Sequence, residues 1–227
     1  MIKYQIVIPA RGGSKRLKGK NIIDLGGIPL IAHSIIYARK SLPDLQIYVN
    51  TDDEEIAQVA KAYGAEITSR PLALGSDTTS SLEVLQHQLK WFEENQIPCD
   101  ALILLQATNP LRPNWLLEKA ISSFESSNRQ SLAGFSILNK KYGQIDDDRF
   151  FHPENYEPGQ RMQDLIPRYY ENGLIYITLA DSIRGGQIIT SDVFPLVVDH
   201  ISATVDIDEP QDLAYAAYIL ENHKENE

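Results

Sequence analysis

A single cysteine, Cys99, stands among the 227 residues. No intrachain disulfide can form, and no cysteine cluster is present to hold zinc. Basic residues are also scarce: 21 Lys and Arg face 31 Asp and Glu, for a formal net charge of −10. So acidic a chain lacks the basic stripe that phosphate backbones require, which argues against a nucleic-acid partner. No apolar run approaches the roughly 20 residues that span a bilayer, so no membrane partner is expected. The N-terminus runs straight into an apolar strand and lacks a signal-peptide layout. Internal repeats and low-complexity tracts are missing too. These absences point to a cytoplasmic protein. What is present is an ordinary globular balance, 43% hydrophobic and 23% charged, enough for one core carrying at most a small insertion.

Short apolar runs alternate with helical patterns. Strands are expected at Tyr4 to Ile8, Leu45 to Asn50, Ala65 to Thr68, Ala101 to Gln106, Leu132 to Leu138, Leu174 to Leu179 and Leu196 to Val198. Helices are expected from Pro29 to Lys40, from the cap Asp53 to Gly64, and from Ser81 to Asn95. Two more run from Trp115 to Ser126, with Pro113 at N1, and from Pro210 to Asn222, with a solvated tail to Glu227. Trp91 and Trp115 read as packing residues. The alternation, with strands apolar throughout, implies a mostly parallel sheet covered by helices on both faces, an α/β Rossmann-like three-layer sandwich. Between Asn139 and Tyr170 the rhythm breaks into a stretch rich in Asp, Pro, Tyr and Arg, too long for an ordinary connection. Residues 139–170 are therefore expected to form an inserted flap in a main domain of residues 1–138 and 171–227.

The loop after the first strand reads Pro9-Ala10-Arg11-Gly12-Gly13-Ser14-Lys15-Arg16-Leu17-Lys18-Gly19-Lys20-Asn21. Five of the 21 basic residues fall between Arg11 and Lys20. Glycines let backbone N–H groups approach a ligand, and the cations suit a polyphosphate. Neither the Walker A pattern nor G-x-G-x-x-G fits, which weakens ATPase and dehydrogenase readings.

Ile8-Pro9-Ala10-Arg11-Gly12-Gly13-Ser14-Lys15 with Lys20-Asn21 resembles the N-terminal signature of the CMP-sialic acid synthetases, the acylneuraminate cytidylyltransferases. Further matches follow in order: Asn50-Thr51-Asp52, Arg70-Pro71, Ser76 to Ser81, Leu105 to Arg112, Glu171-Asn172-Gly173 and Asp206-Ile207-Asp208. The resemblance spans nearly the whole chain and includes the legionaminic acid branch. It implies a homodimer that joins CTP to the anomeric hydroxyl of a nine-carbon 2-keto sugar acid, releasing pyrophosphate, with Mg²⁺ as cofactor. Enzymes for pseudaminic acid or the eight-carbon Kdo are the nearest alternatives, and a non-catalytic nucleotide sensor is a more distant one.

By that resemblance Arg11 and Lys20 are phosphate cations, Gly12 and Gly13 complete the cradle, and Asn21 orients the nucleotide. Arg70, Thr79 and Ser81 fall in the stretches that hold cytosine and ribose. Asp77 is left open, since either it or Ser80 could cap the following helix. Gln106 and Asn172 are expected on the sugar acid. Its carboxylate needs a cation, which the insertion offers as Lys141, Arg161 or Arg168; Arg161 heads the expected substrate contacts, and the insertion is expected to build the dimer. Asp206 and Asp208, two apart, face one side of an extended segment and suit Mg²⁺, although Asp208-Glu209-Pro210 also makes an acidic helix start. Arg11, Lys20 and Asp208 are the expected catalytic residues. Asp212 reads as helix only, and Arg112 as a structural ion-pair residue.

Overall fold

In the first strand, β1 (Tyr4–Pro9), Ile6 and Ile8 enter one hydrophobic core while Val7 enters another on the opposite face. That alternation sets up three layers. The computed structural model describes residues 2–223; the end of the expected tail, 224–227, lies outside them. After β1 come a two-residue hairpin, β2 (Asp24–Leu25) and β3 (Ile28–Pro29), then α1 (Leu30–Ser41), β4 (Ile47–Thr51), α2 (Glu54–Ala62) and β5 (Glu66–Ser69). Next are α3 (Ser81–Glu94), β6 (Ala101–Leu104), α4 (Leu116–Ser127) and β7 (Ser131–Ile137). A small hairpin, β8 (Gly143–Ile145) and β9 (Phe151–Pro153), precedes β10 (Tyr169–Leu179), α5 (Ala180–Arg184), β11 (Phe194–Val197) and α6 (Pro210–Asn222).

Seven strands form the central sheet in the order β11-β7-β10-β6-β1-β4-β5. Buried side chains of α1, α2 and α4 cover one face and those of α3 and α5 the other, giving the three-layer α/β sandwich. Helix starts are locally encoded. Asp53 accepts the Ile56 N–H at 3.0 Å, and Ser80 forms a capping box with Glu83. Among the described residues no helix is long and apolar enough to cross a membrane.

The sheet is mostly parallel, as expected; the exception is β10, which runs antiparallel to both β6 and β7. Residues 174–178 of β10 are buried whichever way the strand runs, so an apolar run carries no direction. Two expectations need correction. Pro113 is not at N1 of α4; it stands three residues ahead and offers its carbonyl to Leu116 N–H at 3.0 Å. Trp115 is 44% exposed and does not pack in the core, whereas Trp91 meets Tyr48 and Phe92 edge to face.

The strand β10 begins at Tyr169, five residues before the expected Leu174, because Tyr169 and Tyr170 pair with Ile137 and Ser136 of β7. Glu171 lies opposite Phe135 but Tyr176 opposite Ala133, so Asn172 to Ile175 bulge out of the ladder. Gly173 lies in that bulge with φ +74°, and a Cβ there would come within 2.6 Å of Asn109 Oδ1 and 2.9 Å of Gln106 Oε1.

Candidate active site

Open α/β sheets bind ligands beyond the carboxyl ends of their strands. Here Pro9 at the end of β1 and Leu104 at the end of β6 open into a cavity of about 350 Å³. Nine of the expected site residues line it: Arg11, Lys20, Asn21, Arg70, Thr79, Ser81, Gln106, Asp206 and Asp208. Residues 11 and 208 are far apart in sequence, so the fold itself brings them together.

The N-terminal loop is tied down by backbone partners. Ala10 N–H donates to the Asn50 carbonyl at 3.0 Å, and Asn21 Nδ2 to the Arg11 carbonyl at 2.9 Å. Asn21 is buried, so its amide holds the loop's curve. Gly12 N–H donates to Asp52 Oδ1 at 3.1 Å, and a Cβ at Gly12 would come within 2.5 Å of Asp53 Oδ2. That glycine is required for the loop to pass β4, and its N–H is already engaged. Neither Gly12 nor Gly13 lines the cavity.

The acidic side is positioned just as locally. Ile207 N–H donates to the Thr108 carbonyl at 2.8 Å, and Asn109 Nδ2 to the Val205 carbonyl at 2.9 Å, which stitches residues 205–207 to the loop after β6. Asp212 does more than start a helix: its Oδ2 accepts the N–H groups of Asp208 at 2.9 Å and Glu209 at 2.8 Å. Asp208 reaches Lys20 Nζ at 2.8 Å and Arg16 Nη2 at 2.6 Å. Burial pushes its carboxyl up, but Lys20 and Arg16 outweigh that and hold it below the usual carboxylate range. Asp206 goes the other way. Desolvation raises it, with Asp208 adding repulsion, against a lowering hydrogen bond from Thr108.

Arg70 is buried, with Nε 2.8 Å from Asn50 Oδ1 and Nη2 2.7 Å from the Asn50 carbonyl. Asn50 Nδ2 donates in turn to Gln88 Oε1 at 3.0 Å, so α3 braces the arginine through a polar chain. Two smaller cavities share Gln106 with the main one. One, of about 310 Å³, is lined by Glu171, Asn172, Gly173, Tyr176, Thr204 and Asp206, among others. The other, of about 230 Å³, carries Ile188 and Ile189 opposite Glu171 and Tyr176. Asn172 reaches the first of these, but its amide is committed: Nδ2 donates to Ser136 Oγ at 3.0 Å and Oδ1 accepts Leu174 N–H at 3.1 Å.

The insertion cations stand elsewhere in this chain. Arg161 pairs with Asp164 at 2.7 and 3.0 Å, Lys141 lies over the Tyr156 ring, and neither they nor Arg168 line the three cavities. Arg112 is structural, but in no ion pair among the described residues: its guanidinium donates to the Leu174 carbonyl, Ser34 Oγ and the Gln106 carbonyl at 2.7–2.9 Å. Burial without a counter-charge pushes it down to about 10. Thr108, Glu171, Tyr176 and Asp52 were not singled out from sequence. Thr108, Glu171 and Asp52 lie inside motifs quoted whole, so motif membership was their one available signal.

The model of the cytidylyltransferase family matches residues 5–183. The CMP-N,N'-diacetyllegionaminic acid synthase of Legionella pneumophila is 34% identical over 224 residues, covering 96% of this chain and 97% of that protein. A pseudaminic acid cytidylyltransferase of Campylobacter jejuni is 31% identical over 230 residues, covering 98% and 99%. An N-acylneuraminate cytidylyltransferase of Streptococcus agalactiae is 34% identical over 178 residues, which is 76% of this chain but 42% of that protein. In fold, a solved CMP:2-keto-3-deoxy-manno-octonic acid synthetase complexed with CTP matches with a TM-score of 0.72 at 18% identity, covering 98% of this chain and all of that one. On the family model and the end-to-end relatives together, the chain belongs to the cytidylyltransferase family.

Proposed function

We propose that this enzyme transfers the cytidylyl group of CTP to the anomeric hydroxyl of a nonulosonic acid of the sialic or legionaminic type, releasing pyrophosphate. The observation that carries this reading is the convergence of Arg11 and Lys20 with Asp206 and Asp208 on one cavity. In-line attack by the sugar oxygen forms a bond to the α-phosphorus and breaks the bond to the β-phosphate oxygen. The cationic side chains stabilise the charge that gathers on the departing pyrophosphate. Arg70, Thr79 and Ser81 line the same cavity and would hold the nucleoside. Gln106, shared by all three cavities, marks the border where nucleotide and sugar acid meet. The isoleucine pair with Glu171 offers the sugar an apolar wall beside a polar group.

Magnesium is part of this proposal. Among the described residues no group of three or more His, Cys, Asp or Glu could hold a metal. The donor set nevertheless fits a cation that draws most of its oxygens from phosphate and water: two carboxylates face the cavity, and the carboxyl of Asp206 is raised by burial and by Asp208 despite the nearby Lys20. When bound there, the ion would withdraw charge from the phosphates. This chain's part is to present Asp206 and Asp208 from a pinned segment and to keep Lys20 beside them.

The protein is also proposed to act as a homodimer in the cytoplasm, where CTP is made. Support comes from Ile145, Phe150, Phe151, Met162, Ile166, Tyr169 and Tyr170, all large, apolar or aromatic and all exposed within residues 139–170. Pyrophosphate release, assayed with CTP, magnesium and a panel of nonulosonic acids, tests the activity. Turnover with a sialic or legionaminic acid is expected. Preference for pseudaminic acid or Kdo would move the substrate assignment, and silence across the panel would favour a nucleotide sensor.

A further inference from the structure

Asp77 lies in the loop between the turn Leu72–Leu74 and α3. It caps nothing, since Ser80 takes the Glu83 N–H and Glu83 returns the bond to Ser80 N–H. Its two oxygens instead divide between cations of the N-terminal loop, Oδ1 on Arg11 and Oδ2 on Lys15. Arg11 lines the nucleotide cavity, and Lys15 is 81% exposed at its side chain. A carboxylate that spreads two oxygens over two cations presents the same charge and hydrogen-bonding pattern as a phosphate edge. Both partners belong to the loop that the nucleotidyl-transfer reading assigns to the polyphosphate, and the present inference rests on that reading.

We propose that Asp77 is a resident stand-in for the substrate's polyphosphate, holding Arg11 and Lys15 until the triphosphate displaces it and returning to them as pyrophosphate leaves. Exposed ion pairs of this kind are weak and screened by solvent. A triphosphate, with several charges against one, displaces such a carboxylate readily. Cytidine, which carries no phosphate, gains nothing from the exchange. Asp77 thus weakens every ligand that must take the loop cations and leaves the nucleoside contacts alone. It acts as a positioning and specificity residue and touches no reacting atom.

The test compares the wild type with Asp77→Asn and Asp77→Glu in the full-length protein with magnesium present. For Asp77→Asn the proposal expects the KM for CTP and the inhibition constant of pyrophosphate each to fall by about five-fold, the worth of one exposed pair. The inhibition constant of cytidine should stay unchanged and kcat should not rise. Asp77→Glu keeps the charge and should behave as wild type. Unchanged or weaker pyrophosphate and CTP binding in a folded Asp77→Asn protein overturns the proposal, as does an equal gain for cytidine. A merely structural pair would lower the unfolding midpoint and kcat without tightening pyrophosphate. Calorimetric titration of pyrophosphate and CTP needs no sugar acid, so an error in the assigned acid leaves this test intact. Failure of wild type to bind CTP at all would instead sink the transferase reading.

Discussion

Around the nucleotide cavity and in the insertion, the chain treats its awkward groups in opposite ways. At the cavity, four cations of one loop meet two carboxylates, Asp77 with Arg11 and Lys15, and Asp208 with Arg16 and Lys20. Four cations against two carboxylates leave the loop net positive, so an anionic ligand can enter by exchange. In the insertion, Ile145 and Ile166 are 70% and 72% exposed, left uncovered by the described residues. The first region pairs its charges within the chain; the second leaves apolar side chains exposed, the feature on which the proposed dimer rests.

The largest effect should come from removing a carboxylate of the cavity. Asp208→Ala is expected to cut kcat by about 100-fold or more while the protein stays folded, as pyrophosphate release and a thermal scan would show. Retained synthesis at saturating magnesium would remove Asp208 from the reaction. Beneath the cavity, Arg112→Ala strips donors from three buried acceptors. It should cost about 3 kcal/mol, lowering the unfolding midpoint by roughly 10 °C.

On the insertion side, Phe150→Ser with Ile166→Ser should weaken self-association at least about ten-fold in sedimentation, roughly 1.4 kcal/mol, with far-ultraviolet circular dichroism unchanged. An unaltered dimer would erase the contrast between the two regions. Ser80→Ala, which removes a cap and touches no ligand group, should cost about 1 kcal/mol in denaturant melts.

The smallest effect is a pH dependence. Asp206 titrates above its unfolded value, so its ionisation opposes folding: the stability it lends is full at acid pH, below the unfolded titration, and is lost as pH rises through the raised native one. Asp206→Asn should therefore unfold at a slightly higher temperature than wild type once pH exceeds that native titration, and the gap should close at lower pH. It should also lose activity. A variant less stable at neutral pH would contradict the raised carboxylate.

Much of this was legible from residues alone, because its causes are local. Asp53 and Ser80 cap helices within four residues of themselves, and apolar alternation marks β1, β4 and β6. The cavity was legible through motifs, since nine expected residues line it. What escaped has non-local causes. The antiparallel course of β10 leaves no mark on a strand buried at its centre. Arg112 sits among neutral oxygens rather than acids: two carbonyls and the Ser34 hydroxyl, of which Leu174 and Ser34 lie far away in sequence. The pairing of Asp77 with Arg11 bridges two loops with no spacing rule between them. Asn172, expected on the sugar acid, lines the cavity of about 310 Å³, but the bond that ties its amide to Ser136 of β7 could not be read from spacing.

The most direct test is the electron density of a crystal soaked with CTP and magnesium. The triphosphate should lie between Arg11 and Lys20 on one side and Asp206 and Asp208 on the other, with cytosine toward Arg70 and Ser81 and with Asp77 released from Arg11. A nucleotide seated in any other cavity, with Lys20 still closed on Asp208, would contradict the transferase mechanism.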